Sequence, residues 1–310
     1  MRAVLTLLAA LALDDRFGEA PARLHPVRLL GRIIEIIEAR APLDAPARLR
    51  YGAAMAGVIP IGAAVAAGVA SRSARRAHAM LGFAIDAALL SSMLARRALF
   101  ERARAVEASL EAGDLDAARG ALGRHLVSRK TGDLETSEVA GATIESVAEN
   151  LSDGLAGPVL AYALGGLPAA VAYRAVNTLD SMWGYRHEPH VELGRHAARL
   201  DDALNLVPSR VTAGALVAAS RLDGADVAHR AFDTWIDEGD STESPNAGQP
   251  MAAMAGALGR RLEKRGAYVL GRDLESPRAN DIERAVRLAD RASMLIAAAA
   301  LVVTLWRAQR

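Results

Sequence analysis

Two uncharged apolar runs place the strongest constraint on what this chain can fold into. Residues 51–70 and 154–173 contain no Asp, Glu, Lys or Arg, and each reaches the roughly 20 residues that an α-helix needs to cross a bilayer. Weaker apolar runs lie at residues 3–13, 77–95, 203–220 and 292–306. We therefore predict an all-α, polytopic helical membrane protein with roughly four to six membrane-embedded helices.

The stretches between these runs predict interfacial and aqueous helices. Residues 26–40 have a broad apolar face opposite charges spaced i,i+3 and i,i+4, which is typical of a helix lying in the membrane interface or against neighbouring helices. Residues 96–123 are rich in charge and contain a turn at 112–114, so they predict two short aqueous helices, and residues 237–250 predict a loop. With no internal repeat in the sequence, we predict one membrane-embedded domain over residues 1–310, with aqueous segments near 96–135 and 221–290.

Composition excludes several classes of function. The 37 basic and 36 acidic side chains nearly cancel, so no overall field favours nucleic acid, and we expect no nucleic-acid partner. The absence of cysteine from the sequence excludes disulfides, thiolate nucleophiles and cysteine-ligated zinc. Partners must therefore be recognised by local groups of side chains.

Acidic residues cluster just before the second uncharged run. On a predicted helix, Glu138, Glu145 and Glu149 fall seven and four residues apart, so they share one face, and Asn150 and Asp153 flank it. Like charges at i,i+4 repel one another, so the cluster indicates a cation that offsets them. Mg²⁺ holding phosphate groups is one candidate, because it takes one or two carboxylates together with phosphate oxygens. A solvated helix face with arginine neighbours is the alternative.

A second polar cluster follows the same run directly. Arg174, Asn177 and Asp180 step by three residues, so they lie on one face of a helix that leaves the apolar run. The planar guanidinium of Arg174 suits a carboxylate or a phosphate because it can bind two oxygens. Alternatively, Arg174 only extends its charged head to the membrane surface.

Two further clusters flank the later part of the chain. The first consists of Arg199, Asp201, Asp202, Asn205 and Arg210. Within it, Asp202 is spaced to meet both Arg199 and Asn205 on one helical face, where a structural ion pair and a catalytic role are equally compatible with the pattern. Asn246 precedes an alanine-rich helix whose exposed backbone N–H groups could bind an anion, although capping by Ser or Asn needs no ligand. His25, directly before Pro26, is a further candidate site residue.

Five blocks in this order resemble a known family, the membrane-bound cobalamin-biosynthesis proteins that make adenosylcobinamide or its phosphate. The blocks are LHPVRLLGRIIEIIE at 24–38, ATIESVAENLSDGLAGP at 142–158, YRAVNTLDSMWGYR at 173–186, RLDDALNLVPSRVTA at 199–213 and SPNAGQPMAAMAGALG at 244–259. Each block alone is weak, but five in one order over nearly the whole chain are specific.

The resemblance implies an amide-forming ligase. Its substrates would be adenosylcobyric acid and (R)-1-amino-2-propanol or its O-phosphate, with ATP and Mg²⁺ as cofactors. Direct condensation at neutral pH is uphill because both the carboxylate and the ammonium must lose their charge. Activation of the carboxylate as an acyl phosphate, together with a base that accepts the amine proton, would overcome this.

Site residues follow from the matching blocks. The predicted catalytic residues are Glu145, Glu149, Asp180 and Asp202, and the predicted magnesium ligands are Glu145, Glu149 and Asp153. The predicted substrate-binding residues are His25, Arg129, Thr131, Asn150, Arg174, Asn177, Asn205 and Asn246. We expect these groups to converge on one pocket beside the lipid boundary.

The chain departs from the family pattern at four positions. Ser128 and Lys130 stand where the family usually has Gly and Asp, and Gln249 and Met251 stand where Trp and Glu are commoner. The sequence has neither a P-loop nor a glycine-rich dinucleotide fingerprint, so ATP use is implied by the resemblance alone. We expect a multi-pass protein of the cell inner (cytoplasmic) membrane in contact with lipid. A homo-oligomer and an association with later corrinoid-pathway enzymes are both compatible with the sequence. The rival function is a membrane corrinoid-binding or transport protein without ligase activity.

Overall fold

The computed structural model describes residues 1–19, 25–184 and 190–309. The elements of this part of the chain are, in order, α1 (Arg2–Phe17), α2 (Pro26–Glu38), α3 (Ala45–Ala77), α4 (Ala79–Ser91), α5 (Arg96–Glu111), α6 (Leu115–His125), α7 (Thr136–Leu151), a π-helical turn (Ser152–Ala156), α8 (Gly157–Trp183), α9 (His190–Leu193), α10 (Arg195–Ser220), α11 (Ala225–Glu238), α12 (Gly248–Leu258), β1 (Leu262–Lys264), β2 (Tyr268–Leu270) and α13 (Asp281–Ala308). The all-α prediction is confirmed, with one small hairpin added.

Membrane-spanning character is confirmed as well. Four helical segments of the described chain are long and apolar enough to cross a bilayer: Ala45–Ala77, Ala79–Glu111, Thr136–Trp183 and Asp281–Ala308. The two uncharged runs lie in the first and third of these segments. The weaker runs at 77–95 and 292–306 overlap the second and fourth. The protein is therefore polytopic, and these four segments match the lower end of the predicted range.

Residue contacts divide the chain into two compact units. Unit 1 comprises Met1–Ala95, Gly157–Asn205 and Ala299–Arg310, and unit 2 comprises Arg96–Ala156 and Leu206–Ala298. Each unit joins stretches that are far apart in sequence, and the single domain over residues 1–310 stays a prediction. Both segments that were predicted to be aqueous, 96–135 and 221–290, belong to unit 2.

Unit 1 is organised around α3, which packs against α4, α8 and α9, while α2 packs against α8. Part of its core joins Ile34 of α2 to Trp183 of α8 and Leu193 of α9. The prediction that α2 packs against neighbouring helices is confirmed by Ile34, which is fully buried, whereas Ile33 and Ile36 are exposed. One face of α2 therefore anchors the helix to the protein, and the other is free to contact lipid. The placement of α2 in the membrane interface stays a prediction.

A break in α8 interrupts the second uncharged run. Gly166 has φ 73° and ψ −166°, a backbone conformation that favours glycine, and Pro168 follows two residues later. In a continuous helix the N–H of residue 166 would donate to the carbonyl of Tyr162. That carbonyl instead accepts a hydrogen bond from Nη1 of Arg307 at 3.0 Å. The run that the sequence presents as one span is thus two helical segments.

Unit 2 combines short helices with a β-hairpin. In this unit α5 packs against α6 and α7, α11 packs against α12, and α7 contacts both α12 and β1. The predicted turn between α5 and α6 is confirmed, with Gly113 at φ 75°. The hairpin was not predicted. It pairs Lys264 with Tyr268 across a turn in which Gly266 has φ 75°.

Candidate active site

In unit 2, α7 and the hairpin line a cavity of about 230 Å³. Glu145 and Glu149 project from successive turns of α7, and Arg129 comes from the loop that precedes it. Lys264 and Tyr268 reach the same cavity from β1 and β2. We call the cavity that these five residues line the unit 2 cavity. It holds two carboxylates, two cations and one phenol.

Glu145 is the most buried charged group of this cavity, with 6% of its surface exposed. Its Oε2 lies 3.5 Å from Nη2 of Arg129, while Oε1 is buried and has no hydrogen-bond partner among the described residues. Burial raises the pKa of the Tyr268 hydroxyl, and the neighbouring charges of Glu145 and Glu149 raise it further. Tyr268 therefore keeps its proton and can act as a donor.

The protein itself supplies part of the positive charge that the sequence predicts beside these glutamates. Arg129 and Lys264 both line the cavity with Glu145 and Glu149, so arginine neighbours, the alternative explanation, account for some of the offset. Among the described residues no group of three or more His, Asp or Glu side chains could hold a metal ion. Asp153 lies in the π-helical turn and does not line the cavity. Of the three predicted magnesium ligands, the cavity therefore brings together Glu145 and Glu149, and magnesium binding stays a prediction.

Two predicted substrate-binding residues near this cavity are tied to the backbone. The hydroxyl of Thr131 donates to the carbonyl of Arg119 at 2.9 Å. The Nδ2 of Asn150 donates to the carbonyl and the hydroxyl of Ser146 at 2.9 and 3.0 Å. Neither Thr131 nor Asn150 lines the cavity. These contacts give both residues a role in holding the loop and helix that carry Arg129 and Glu149.

In unit 1, acidic and amide side chains of α8 and α10 form a second cluster. Asn205 donates through Nδ2 to Oδ2 of Asp201 at 2.8 Å, and Asn177 and Asp180 lie beside the same carboxylate. Asp201 is 8% exposed, and its Oδ1 is buried without a hydrogen-bond partner in the described part of the chain. Together with Asp202, whose charge acts on Asp180 and Asp201, these residues form what we call the unit 1 acid cluster.

Asp201 belongs to a polar cluster that the sequence singles out, but it was not among the predicted site residues. Burial, followed by the charge of Asp180, raises the pKa of Asp201 well above the usual range of an aspartate. The sequence prediction paired Asn205 with Asp202, but the amide of Asn205 donates to Asp201, one full helical turn away. The i,i+4 spacing of Asp201 and Asn205 was visible in the sequence, whereas the burial that singles out Asp201 was not.

Tyr173 was also missed, although it positions Asn205. Its hydroxyl donates to Oδ1 of Asn205 at 2.5 Å. The Tyr173 ring packs directly on Gly157, where a Cβ would lie only 2.0 Å from the hydroxyl oxygen. Any side chain at Gly157 would therefore displace Tyr173 and, through it, the partner of Asp201.

His25 and Arg174 lie near each other at the α2 end of unit 1. Nδ1 of His25 accepts the backbone N–H of Val27 at 3.3 Å, which caps α2. Burial lowers the pKa of His25, and the positive charge of Arg174 is among the groups that lower it further. Arg174 in turn donates from Nη1 to Oδ1 of Asn177 at 3.0 Å. Arg174 therefore connects His25 to Asn177, which lies beside Asp201.

The predicted anion site at the start of α12 is already occupied by the protein itself. Oδ1 of Asn246 accepts from Ser209 at 3.2 Å and from Arg210 at 3.4 Å. The backbone N–H of Gly248 donates to the Thr242 hydroxyl at 3.0 Å. The backbone N–H of Gln249 donates to the Asn246 carbonyl. Because the first N–H groups of the helix are used in this way, the helix start does not present them to an anion.

The amino-acid sequence of the chain matches a known protein family. The family described as CobD/Cbib protein matches residues 7–295. The chain is 37% identical to the cobalamin biosynthesis protein CobD of Klebsiella pneumoniae, over 97% of this chain and 98% of that protein. It is 38% identical to CobD of Chromobacterium violaceum, over 98% of both chains. It is 34% identical to the cobalamin biosynthesis protein CbiB of Salmonella arizonae, over 97% of this chain and 98% of that protein.

The chain belongs to the CobD/CbiB family. The resemblance seen in the five sequence blocks is thereby confirmed, and the matched region contains every residue of the unit 1 acid cluster and the unit 2 cavity. No solved structure matches the chain.

Within each unit, the structure brings together a different part of the predicted site of this CobD/CbiB member. Unit 1 collects His25, Arg174, Asn177, Asp180, Asp202 and Asn205, to which it adds Tyr173 and Asp201. Unit 2 collects Arg129, Glu145 and Glu149, to which it adds Lys264 and Tyr268. Convergence of all these residues on one pocket stays a prediction.

Proposed function

We propose that this protein acts in cobalamin biosynthesis by forming an amide bond between adenosylcobyric acid and (R)-1-amino-2-propanol or its O-phosphate. The product is adenosylcobinamide or adenosylcobinamide phosphate. The names of the CobD and CbiB relatives, which are cobalamin biosynthesis proteins, support the pathway, and the side-chain chemistry of the two units supports the reaction. We further propose that the protein resides in the cell inner membrane.

The observation that carries this proposal is the buried Asp201 of the unit 1 acid cluster. Three aspartates near one another in a partly buried site repel, and a cationic ligand such as a primary ammonium would relieve that repulsion. Amide formation also requires the ammonium to lose a proton before its nitrogen can attack. A carboxylate whose pKa is raised by burial is better matched to this proton transfer than an ordinary aspartate. Asp201 is thus our candidate general base.

Asn177, Arg174 and Asn205 would orient the reacting groups around that base. The guanidinium of Arg174 can bind the corrinoid carboxylate with two hydrogen bonds, and its contact with Asn177 fixes its direction. Asn205 holds Asp201 through Nδ2 while Tyr173 holds Asn205. These contacts lower the freedom of the base, which favours a productive geometry.

The unit 2 cavity suits the phosphate groups of a nucleotide. Arg129 and Lys264 can bind phosphate oxygens, and Glu145 with Glu149 can hold Mg²⁺ beside them, since Mg²⁺ prefers one or two carboxylates with phosphate oxygens. The buried Oε1 of Glu145, which lacks a hydrogen-bond partner among the described residues, fits a metal ligand. ATP with Mg²⁺ would supply the phosphoryl activation that makes amide formation favourable. The neutral Tyr268 would donate a hydrogen bond to an anionic group there.

One observation favours the rival function, a membrane corrinoid-binding or transport protein. Transporters often carry broken helices where substrates cross the membrane, and α8 is broken at Gly166. The two members of the acid cluster on α8, Asn177 and Asp180, however, lie 11 and 14 residues beyond the break, in the continuous second segment of the helix. The other three lie on α10. A binding protein would also have no need for a buried carboxylate base.

The decisive experiment is a reaction with purified protein in detergent. Adenosylcobyric acid, aminopropanol or its phosphate, ATP and Mg²⁺ are combined, and the corrinoid is weighed by mass spectrometry. We expect a gain equal to the amine minus one water, and none when ATP is omitted. If the corrinoid binds but gains no mass with either amine, the ligase function is wrong and the transport function stands.

A further inference from the structure

A second cavity of unit 1 is lined by four arginines, and the proposed ligase chemistry does not use it. Its volume is about 360 Å³, which lies in the range of roughly 300–1,000 Å³ that is typical of small-molecule sites. We call it the arginine cavity; its charged lining consists of Arg2, Arg72, Arg75, Arg307 and Asp86. Four guanidinium groups thus face a single carboxylate.

The single carboxylate of the arginine cavity is already fully used. Asp86 accepts hydrogen bonds from Arg2 at 3.3 Å, from Arg75 at 3.0 Å and from the Ser71 hydroxyl. These contacts are enough to neutralise a buried aspartate, so they do not explain the other two arginines. Within the described chain, Arg72 and Arg307 form no ion pair with a carboxylate. The cavity therefore holds an excess of positive charge.

The break in α8 adds to this charge. Gly166, Leu167 and Pro168 line the cavity, so the second segment of α8 begins there. The start of a helix carries a partial positive charge, because its first N–H groups have no partners within the helix. Nη1 of Arg307 is tied to the Tyr162 carbonyl across the break at 3.0 Å, which holds its guanidinium at the cavity wall.

The arginine cavity lies where the apolar surface of unit 1 ends. Exposed apolar side chains precede Arg72 on α3, at Val65 and Val69, and precede Arg307 on α13, at Val302 and Leu305. Arginines at the ends of lipid-facing helices lie at the level of the phospholipid headgroups. Along α8 the break is 14 residues from Asp180, roughly 21 Å at 1.5 Å per residue. The arginine cavity is therefore distinct from the unit 1 acid cluster.

We propose that the arginine cavity binds the phosphate group of an anionic ligand. Planar guanidinium groups bind phosphate oxygens in pairs, and a helix start adds further donors. An anionic phospholipid of the surrounding bilayer presents such a phosphate at the height of the cavity, and a soluble phosphate ester presents the same chemistry from the aqueous phase. The ligand would neutralise Arg72 and Arg307 and hold together the ends of α1, α3 and α13.

The test uses the full chain purified in detergent and measures retained ligand by native mass spectrometry. Dioleoyl phosphatidylglycerol and dioleoyl phosphatidylcholine are added separately, and sn-glycerol 3-phosphate is used as the soluble competitor. We expect phosphatidylglycerol to be retained in preference to phosphatidylcholine. Arg72→Gln should weaken that retention by roughly tenfold, because one charge-assisted contact is lost, and a second substitution, Arg307→Gln, should weaken it further.

Arg76→Gln is the matched control, because Arg76 is exposed at the same end of α3 but does not line the cavity. It should retain lipid as the wild type does. Equal losses in Arg72→Gln and Arg76→Gln would show that general surface charge is responsible, and the proposal would be wrong. Retention that glycerol phosphate displaces assigns a soluble ester, and retention that it leaves intact assigns a lipid. The proposal also fails if neither ligand is preferred over phosphatidylcholine.

Discussion

The two units of this protein differ in the side chains that they expose. Unit 1 carries most of the exposed large apolar side chains of the described chain, among them Leu5, Leu8, Ile33, Ile36, Val58, Ile61, Val65, Val69, Met80 and Val302. Unit 2 instead pairs its charges, for example Arg104 with Glu283 at 2.8 Å and Arg291 with Asp223 at 2.9 Å. Lipid accepts apolar surface of the first kind, and water accepts charged surface of the second kind. Unit 2 nevertheless contains parts of three of the four apolar spanning segments, at 96–111, 136–156 and 281–298. The mean hydropathy of +0.14 is an average over these two environments.

The candidate sites differ in the same way as the surfaces. The unit 1 acid cluster gathers Asp180, Asp201 and Asp202, with Arg174 as its nearby cation. The unit 2 cavity balances two glutamates with an arginine and a lysine. An excess of carboxylates suits a cationic amine, whereas a balanced set suits phosphate and Mg²⁺ together. The comparison therefore assigns different reactants to the two units.

The largest expected effect comes from the base in unit 1. Asp201→Asn keeps the size of the side chain but removes the proton acceptor, so turnover should fall by about 100- to 10,000-fold. Asp202→Asn is the matched comparison and should cost less, because Asp202 is less buried than Asp201. Product formation by mass spectrometry measures both variants. If Asp202→Asn is the more damaging of the two, Asp202, which was predicted from the sequence, is the catalytic residue, and the assignment of Asp201 as the base is wrong.

The difference between the two surfaces can be tested with a matched pair of isoleucines. Ile61 lies at the centre of α3 and is 66% exposed, and Ile236 lies on α11 and is 60% exposed. Ile61→Lys should cost about 2.5–3.5 kcal/mol of membrane insertion, the range for a cation at the centre of a spanning helix. Ile236→Lys should leave insertion unchanged, since α11 is outside the four spanning segments and lies in a stretch that the sequence predicts to be aqueous. Recovery in washed membranes is the measurement, and equal recovery of the two variants would contradict the assignment of environments.

The unit 2 cavity is tested on one helix with two glutamates. Glu149→Gln should lower turnover by roughly 10- to 100-fold, the range for groups that position a metal, and should leave membrane insertion intact. Glu138, at the start of α7, pairs with Arg265 and caps the helix. Glu138→Gln should therefore leave turnover near the wild-type value. Wild-type activity in Glu149→Gln would remove the magnesium proposal without affecting the role of unit 1.

The smallest expected effect is a dependence of stability on pH that belongs to unit 1. Because burial raises the pKa of folded Asp201 above its unfolded value, its contribution to stability is present below about pH 4 and is lost as pH rises through the folded pKa. Asp201→Asn lacks this titration. Between roughly pH 5 and roughly pH 8, the free energy of unfolding of the variant should rise relative to that of the wild type by on the order of 1 kcal/mol. Thermal unfolding in detergent measures this difference, and a constant difference across the range would show that Asp201 does not titrate there.

Prediction from sequence succeeded where a property depends on residues close together along the chain. The uncharged runs, the amphipathic helix α2 and the α5–α6 turn all follow from composition and helical spacing, and the structure confirms them. The hairpin was missed, although Gly266 with flanking strand-forming residues is a recognisable signal. That omission also hid Lys264 and Tyr268, because only the hairpin brings them beside Glu145.

The sequence by itself determined that this is a helical membrane protein of the CobD/CbiB family and which blocks carry its polar side chains, because apolar length and helical spacing are local properties. Tertiary structure alone decided that Asp201 rather than Asp202 is the buried acid, that Asp153 stands apart from Glu145 and Glu149, and that four arginines surround one cavity. Burial, desolvation and the neighbours of a charge depend on which helices pack together. Those contacts join residues that are distant along the chain, so no local pattern contains them.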